Sequence, residues 1–246
     1  MFELKSLDFF GPKETHAIFV FRAGNADECT CQATYRSDEY QLVNYPPAPG
    51  EWYIDGGGYI GTTAILYAQL YLQAKVVVLE PLPENIELIK RNVKVNKLED
   101  RIFVEEKALF NKDRKEVKIY YRDNSPVGIA HHFVGSSSKK YTQSVGAKFF
   151  KAETITLKTI VEKYKMEKVR LLKLDIECSE YKALENVPEN ILKKIQTIKG
   201  EYHNPDQTQM KNPRTTLYKL VQTQFDDRSK EPETQFVGAF EFERKS

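Results

Sequence analysis

From residue 52 onward, short apolar runs alternate with longer amphipathic stretches. The period of apolar residues changes from two to about three and a half and back again. Strands are predicted at about residues 52–55, Lys75–Glu80, Arg101–Lys107, Val169–Ile176, Ile195–Tyr202 and Phe236–Phe242. Helices are predicted over Tyr59–Leu72, Pro83–Asn96, Thr154–Lys165, Ser179–Glu185 and Arg214–Gln224, with Pro83 suited to a first helical turn. Strands that alternate with helices in this way imply an α/β fold with a doubly wound, mostly parallel sheet and helices on both faces.

Two regions depart from the alternation. Residues 1–50 look like a β-rich prelude, with strand-like Ala17–Arg22 and Cys29–Tyr35 flanking a turn at Ala23–Asp27. The run Tyr45-Pro-Pro-Ala-Pro-Gly50 then interrupts regular structure, so the main domain is expected to run over 51–246. Between about 109 and 153 only Lys115–Tyr121 reads as a strand. Arg122–Pro126 reads as a turn and Gly135–Lys140 as a loop, so this insertion is expected to form a substrate-facing flap.

Composition changes this picture little. The 246 residues are 41% hydrophobic and 29% charged, which is ordinary for a globular chain long enough for one sizeable domain. A formal net charge of +2 offers no electrostatic case for nucleic acid or a membrane surface. No apolar run approaches the ~20 residues of a membrane span. Met1–Lys5 lacks the basic-then-apolar signature of a signal peptide, and a cytoplasmic protein is expected. Three cysteines suit a reducing compartment. Cys29 and Cys31, on one face of the expected strand, lack partners at zinc-site spacing.

Candidate chemistry collects at the expected carboxyl ends of the strands, where open α/β sheets bind ligands. Asp55 ends the first core strand, and Gly56, Gly57, Gly58 and Gly61 shape the turn into the next helix. Such a turn suits an anionic group at a helix N-terminus. The letters also satisfy the dinucleotide pattern G-x-G-x-x-G. Asp55 would repel a pyrophosphate, whereas it could hold the ammonium of S-adenosyl-L-methionine while helix amides take that cofactor's carboxylate. Glu80, followed by Pro81, could accept both ribose hydroxyls of either cofactor, and Lys107-Ala108 ends the third core strand.

A second constellation lies at Lys173, Asp175, Glu177 and Glu180, with Lys173, Asp175 and Glu177 expected on one side of a strand. Asp175 and Glu177 could position an acceptor hydroxyl, take its proton, or hold a divalent metal ion. Glu180 also fits an acidic first helical turn with no chemistry attached. His203 sits at a strand end as a candidate general base. His131-His132, in the insertion, could line an acceptor pocket.

Taken together these residues resemble the FkbM-type S-adenosylmethionine-dependent methyltransferases. The resemblance runs from about Arg22 to His203, through Arg22-x-Gly-x-x-Asp27, Glu39-Tyr40, Asp55-x-Gly-x-x-Ile-Gly61, Glu80-Pro81-x-Pro83-x-Asn85, Asn96, Ala108, Lys173-x-Asp-Ile-Glu177-x-x-Glu180 and His203. It implies a Rossmann-like class I methyltransferase fold, with a seven-stranded sheet whose last strand is antiparallel. It also implies methyl transfer, usually to a hydroxyl of a sugar or natural-product acceptor. Cofactor contacts are expected from Asp55, Gly57, Gly58, Gly61, Glu80, Pro81, Lys107, Ala108 and Asp175, and catalytic roles from Asp175, Glu177 and His203. The chain departs from the family at Gly58-Tyr59, where Ala-Asn is usual, and at Cys178, where glycine is usual. The competing readings are an NAD-dependent oxidoreductase, a nucleic-acid methyltransferase and a non-catalytic interaction protein.

Overall fold

The central sheet of the protein is built from β3 (Glu51–Gly56), β4 (Lys75–Leu79), β5 (Ile102–Glu105), β10 (Lys168–Leu174), β11 (Ile195–His203), β12 (Phe225–Asp227) and β13 (Val237–Arg244). These seven strands lie in the order β12-β13-β11-β10-β3-β4-β5. The structure is a computed structural model that describes residues 3–121, 133–134, 148–204 and 212–245. Strand β13, last in the chain, runs antiparallel to β11 and β12 and lies between them, while β3, β4, β5, β10 and β11 pair in parallel. Strand order reverses between β3 and β10, which places the ligand-binding crevice at the ends of these two strands.

All six residues of β3 are buried, as expected of a strand covered on both faces. Period-two alternation sends neighbours to opposite layers. Tyr53, Val76 and Val78 join one core with Ile65, Tyr67 and Ile89. Trp52, Ile54, Val77 and Leu79 join the other with Ile160, Leu172 and Phe240. Helices α2 (Thr62–Leu70) and α3 (Pro83–Val95) belong to the first layer, and α4 (Leu157–Lys163), α5 (Glu180–Leu184), α6 (Glu189–Leu192) and α7 (Pro213–Tyr218) follow later in the chain.

Helix α2 is buried over Thr62–Ala68 because residues N-terminal to the sheet cover its outer side. Tyr35, Leu42 and Tyr45 share its core, and Tyr67 donates its hydroxyl to the Tyr45 carbonyl at 2.7 Å. Strands β1 (Leu4–Phe10) and β2 (His16–Arg22) form an antiparallel pair in this region. The amides of Val20 and Ile18 donate to the side chains of Asn92 on α3 and Asn96 just after it, at 2.7 and 3.0 Å. An edge so covered cannot recruit another strand.

The expected strand at Cys29–Tyr35 is instead helix α1 (Asp27–Gln32) continued by a wider turn over Ala33–Ser37. Its buried residues, Asp27, Cys31, Thr34 and Tyr35, recur at helical spacing, which the short alternation of small residues concealed. Cys29 is exposed and Cys31 buried, so the pair does not share a strand face. The helix expected from Thr154 begins only at Leu157. Thr154 and Ile155 close strand β9 (Lys148–Ile155), and Thr156 caps the helix by accepting the Thr159 amide at 3.1 Å.

Strand β9 belongs to a second sheet with β6 (Ala108–Leu109), β7 (Glu116–Tyr121) and β8 (Phe133–Val134), in the order β6-β9-β7-β8. The expected 109–153 insertion thus contributes a small sheet. Arg122–Pro126, Gly135–Lys140 and His131-His132 lie outside the described residues. Among the described residues no helix is long and apolar enough to cross a membrane.

Candidate functional site

Asp55 ends β3 with its side chain fully buried. One carboxylate oxygen accepts from Lys173 Nζ at 3.0 Å and the other from Thr63 Oγ1 at 2.5 Å. Lys173 lies beside Asp55 because β10 pairs with β3 in the register Lys173↔Asp55. Its ammonium also donates to the Gly57 carbonyl at 3.0 Å. Burial alone would lower the Lys173 pKa, but the charges of Asp55 and Asp175 raise it above its ordinary value. The partner of Lys173 is therefore Asp55, with no hydrogen bond to the carboxylates on its own segment. Both Asp55 oxygens thus already hold a donor from the protein. Lys173 also neutralises the charge that would repel a pyrophosphate, which removes the argument from Asp55 against a dinucleotide.

The glycine turn is held as tightly. Gly57 and Gly58 both donate to the Leu79 carbonyl, at 3.0 and 3.1 Å, and Gly61 donates to Gly58 at 2.7 Å. The amides of the turn are therefore less bare than the sequence suggests. Donors remain in the first turn of α2, at Thr62 and Thr63, where helix geometry supplies no acceptor. Gly57 has φ +80°, and a Cβ there would sit 1.8 Å from the Asp175 carbonyl oxygen. Gly57→Ala is expected to lose about 2–3 kcal/mol from left-handed strain and displacement of the Asp175 backbone. Thermal melting checks this, and an unchanged midpoint would contradict it.

Glu80 follows β4 and is 5% exposed. It accepts the amides of Leu82 and Tyr59, both at 3.0 Å, and the Asn85 side chain at 3.3 Å. Burial outweighs these bonds and pushes its pKa up to about 7. Tyr59 has φ 51° and gives its hydroxyl to Asp27, which also forms a two-pronged buried pair with Arg22 at 2.9 Å on each arm. Arg22 donates to Asn85 at 2.9 Å as well. The motif residues Arg22, Asp27 and Asn85 thus tie the N-terminal region to the Glu80 carboxylate. Tyr59 replaces the usual asparagine and anchors the turn through both its amide and its ring. Sequence alone assigned no role to these four residues, because the contacts that join them, Tyr59 to Asp27 and Arg22 to Asn85, span 32 and 63 residues.

At the ends of β10 and β11 a second cluster forms. Strand β10 stops at Leu174, so Asp175, Ile176 and Glu177 form a turn rather than an extended face. Glu177 and Cys178 have φ 51° and 74°, the left-handed region that explains why glycine is usual at the second position. Asp175 accepts the Tyr40 hydroxyl at 2.7 Å. His203 is paired through Nδ1 with Glu180 at 2.9 Å, while its Nε2 faces Glu177, Asp175 and Glu201 at 3.7, 3.8 and 3.8 Å. Burial alone would depress the His203 pKa, but Glu180 and the other acids raise it to about 10. The acids around Nε2 thus favour a positive charge at that nitrogen.

Lys107 and Ala108, which follow β5, meet strand β9. Lys107 Nζ pairs with Glu153 at 2.6 Å, and Ala108 is buried in β6, paired with Thr154 of β9. Pro81 follows Glu80 and leads into α3, whose first residue is Pro83.

The sheet order, with β13 inserted antiparallel, is that of a class I methyltransferase fold. Comparison with known proteins shows the lineage, because the methyltransferase FkbM domain profile matches residues 55–229. The chain belongs to the FkbM methyltransferase family. It is similar to methyltransferase sdnD of Sordaria araneosa, 22% identical over 229 residues, covering 83% of this chain and 82% of that one. Among solved structures, an rRNA methylase from Streptococcus thermophilus aligns at a TM-score of 0.46 and 10% identity, covering 85% of this chain and 95% of that one. TYW2 of P. horikoshii, in complex with MeSAdo, aligns at 0.43 and 12% identity, covering 100% of this chain and 73% of that one. Within the FkbM family match lie both the glycine turn and the Asp175–His203 cluster.

Proposed function

We propose that this methyltransferase uses S-adenosyl-L-methionine to methylate a hydroxyl of a small, saccharide-like acceptor. The observation that carries the reading is the buried Glu80 carboxylate, held across the glycine turn from the Asp55–Lys173 pair. The donor set fits the cofactor. Glu80 suits ribose hydroxyls, and the first turn of α2 suits a methionine carboxylate. Asp55 then acts by fixing Lys173 and the turn.

Bound there, the cofactor supplies a sulfonium-activated methyl group. The turn and Glu80 orient it, and rate enhancement comes from holding donor and acceptor in line. Asp175 or Glu177 would take the acceptor's proton, leaving its oxygen as the nucleophile for the methyl group that the cofactor would supply. The carboxylates Asp175, Glu177 and Glu201 disfavour a phosphate backbone at this mouth, which supports a neutral polyhydroxyl acceptor over nucleic acid.

Calorimetric titration of the protein with S-adenosyl-L-methionine and with NAD tests the cofactor, and micromolar binding of the former alone is expected. Binding of NAD alone would overturn the reading. A screen of hydroxylated acceptors with methyl-labelled cofactor then reads which oxygen gains the label.

A further inference from the structure

Asp175, Glu177 and His203 each present a ligand-type atom, and these three atoms lie within 4.8 Å of one another. Their spacing does not suit hydrogen bonding. His203 Nε2 stands 3.7–3.8 Å from oxygens of Glu177, Asp175 and Glu201, beyond the reach of an N–H···O bond. It falls between the roughly 2.8–3.1 Å of adjacent and the roughly 4.0–4.4 Å of opposite octahedral donors at metal bonds of about 2.0–2.2 Å, so small side-chain rotations bring the donors onto one ion.

The groups behind these atoms point the same way. His203 is 7% exposed, and its Nδ1 is tied to the fully buried Glu180, so its outward nitrogen is fixed toward the carboxylates. Asp175 is fixed by the Tyr40 hydroxyl on its Oδ2, which leaves Oδ1 on the side of the ring. A ligand histidine that donates its other nitrogen to a carboxylate, beside a hydrogen-bonded carboxylate ligand, is the usual outer arrangement of a metal centre.

We propose that Asp175, Glu177 and His203 form a divalent-cation site, with Glu201 beside it as a further oxygen donor. Carboxylate oxygens joined by one imidazole favour Mn2+ over Ca2+, with Mg2+ as a weaker occupant. The site rests on the methyltransferase reading for its purpose. A cation here binds an acceptor that carries a second oxygen next to the hydroxyl to be methylated, so the acceptor class narrows to vicinal diols and hydroxy-carbonyl compounds.

The other occupant of this acidic site is the proton on the His203 ring, which would make the cluster purely structural. Protein stripped with EDTA and then freed of chelator is titrated with Mn2+, and the free-ion paramagnetic resonance signal is followed. The expected result is loss of one equivalent of signal with a Kd below about 100 µM, reversed by excess Mg2+. Glu177→Gln and His203→Gln should each raise that Kd at least tenfold. Circular dichroism melting confirms that each variant is folded, and Glu177→Gln, on a partly exposed turn, keeps the test open if His203→Gln is not. An unchanged Mn2+ signal through 1 mM, or equal binding by the folded variants, overturns the site. Calorimetry with S-adenosyl-L-methionine on the stripped protein is read separately. Cofactor binding without Mn2+ binding defeats the cation site alone, and loss of cofactor binding defeats the proposed function.

Discussion

Replacing Lys173 with methionine is expected to destabilise the protein by about 3–5 kcal/mol, because Asp55 is left as an uncompensated buried charge. The pair lies almost wholly out of water, with side-chain exposures of 4% for Lys173 and 0% for Asp55. Lys173 also gives up its bonds to the Gly56 and Gly57 carbonyls, at 3.4 and 3.0 Å, which hold the glycine turn against β10. Urea unfolding measures the loss. The Asp55→Asn, Lys173→Met double variant should recover most of it, since removing both members of a buried pair is close to neutral. The amide oxygen introduced by Asp55→Asn would still accept from Thr63. Cofactor affinity should not recover with stability, because the Lys173 bonds that hold the glycine turn are gone. A double variant as unstable as the single would show that Lys173 acts through packing rather than charge.

The second expected result concerns pH. Glu80 titrates near 7 in the folded protein, against an ordinary value of 4.5, because burial disfavours its charged form. A carboxyl whose folded pKa is raised favours folding at low pH and loses that contribution as pH climbs through the folded value. Wild-type stability should therefore fall between about pH 4.5 and 7 by about 3 kcal/mol relative to Glu80→Gln, and run parallel to it above that window. The slope is the readout, since glutamine mimics the protonated carboxyl and the Tyr59 amide then faces a donor in both. Cofactor affinity should move in the opposite sense. The ionised carboxylate accepts the ribose hydroxyls, so affinity should rise with pH up to about 7. Glu80→Gln should bind about 100-fold more weakly without that inflection, from the loss of charge-assisted hydrogen bonds. Calorimetry across pH 5.5–8.5 checks both, and a pH-independent wild-type affinity would remove Glu80 from the ribose contact.

Strand β3, the glycine turn, helix α2 and strand β4 are legible in the chain because each rests on neighbours in sequence. Period-two burial, glycine at a positive φ and an apolar helical stretch leave their mark within a few residues. Asp55 and Glu80 could thus be placed at the ends of β3 and β4, and Asp175 and His203 at the ends of β10 and β11. The same local rules misread Cys29–Tyr35, where small residues alternate like a strand while burial follows a helix. They also ran the Leu157–Lys163 helix back into β9, because a cap at Thr156 is a weak signal beside an apolar run.

What each acid faces was settled only in three dimensions. Lys173 and Asp55 are 118 residues apart, and Tyr40 and Asp175 are 135 apart. Their contacts exist because β10 lies beside β3 and because the N-terminal region folds over α2. Strand order likewise set His203 against Glu180, Asp175, Glu177 and Glu201. Asp27 and Asn85 became supports of the turn through Arg22 and Tyr59. The sequence by itself determined the elements, the glycine turn and the acids at the strand ends, since these follow from local periodicity and backbone freedom. The tertiary structure alone decided which charges neutralise one another, because a carboxylate's partner and its exclusion from water depend on segments that only the fold brings together.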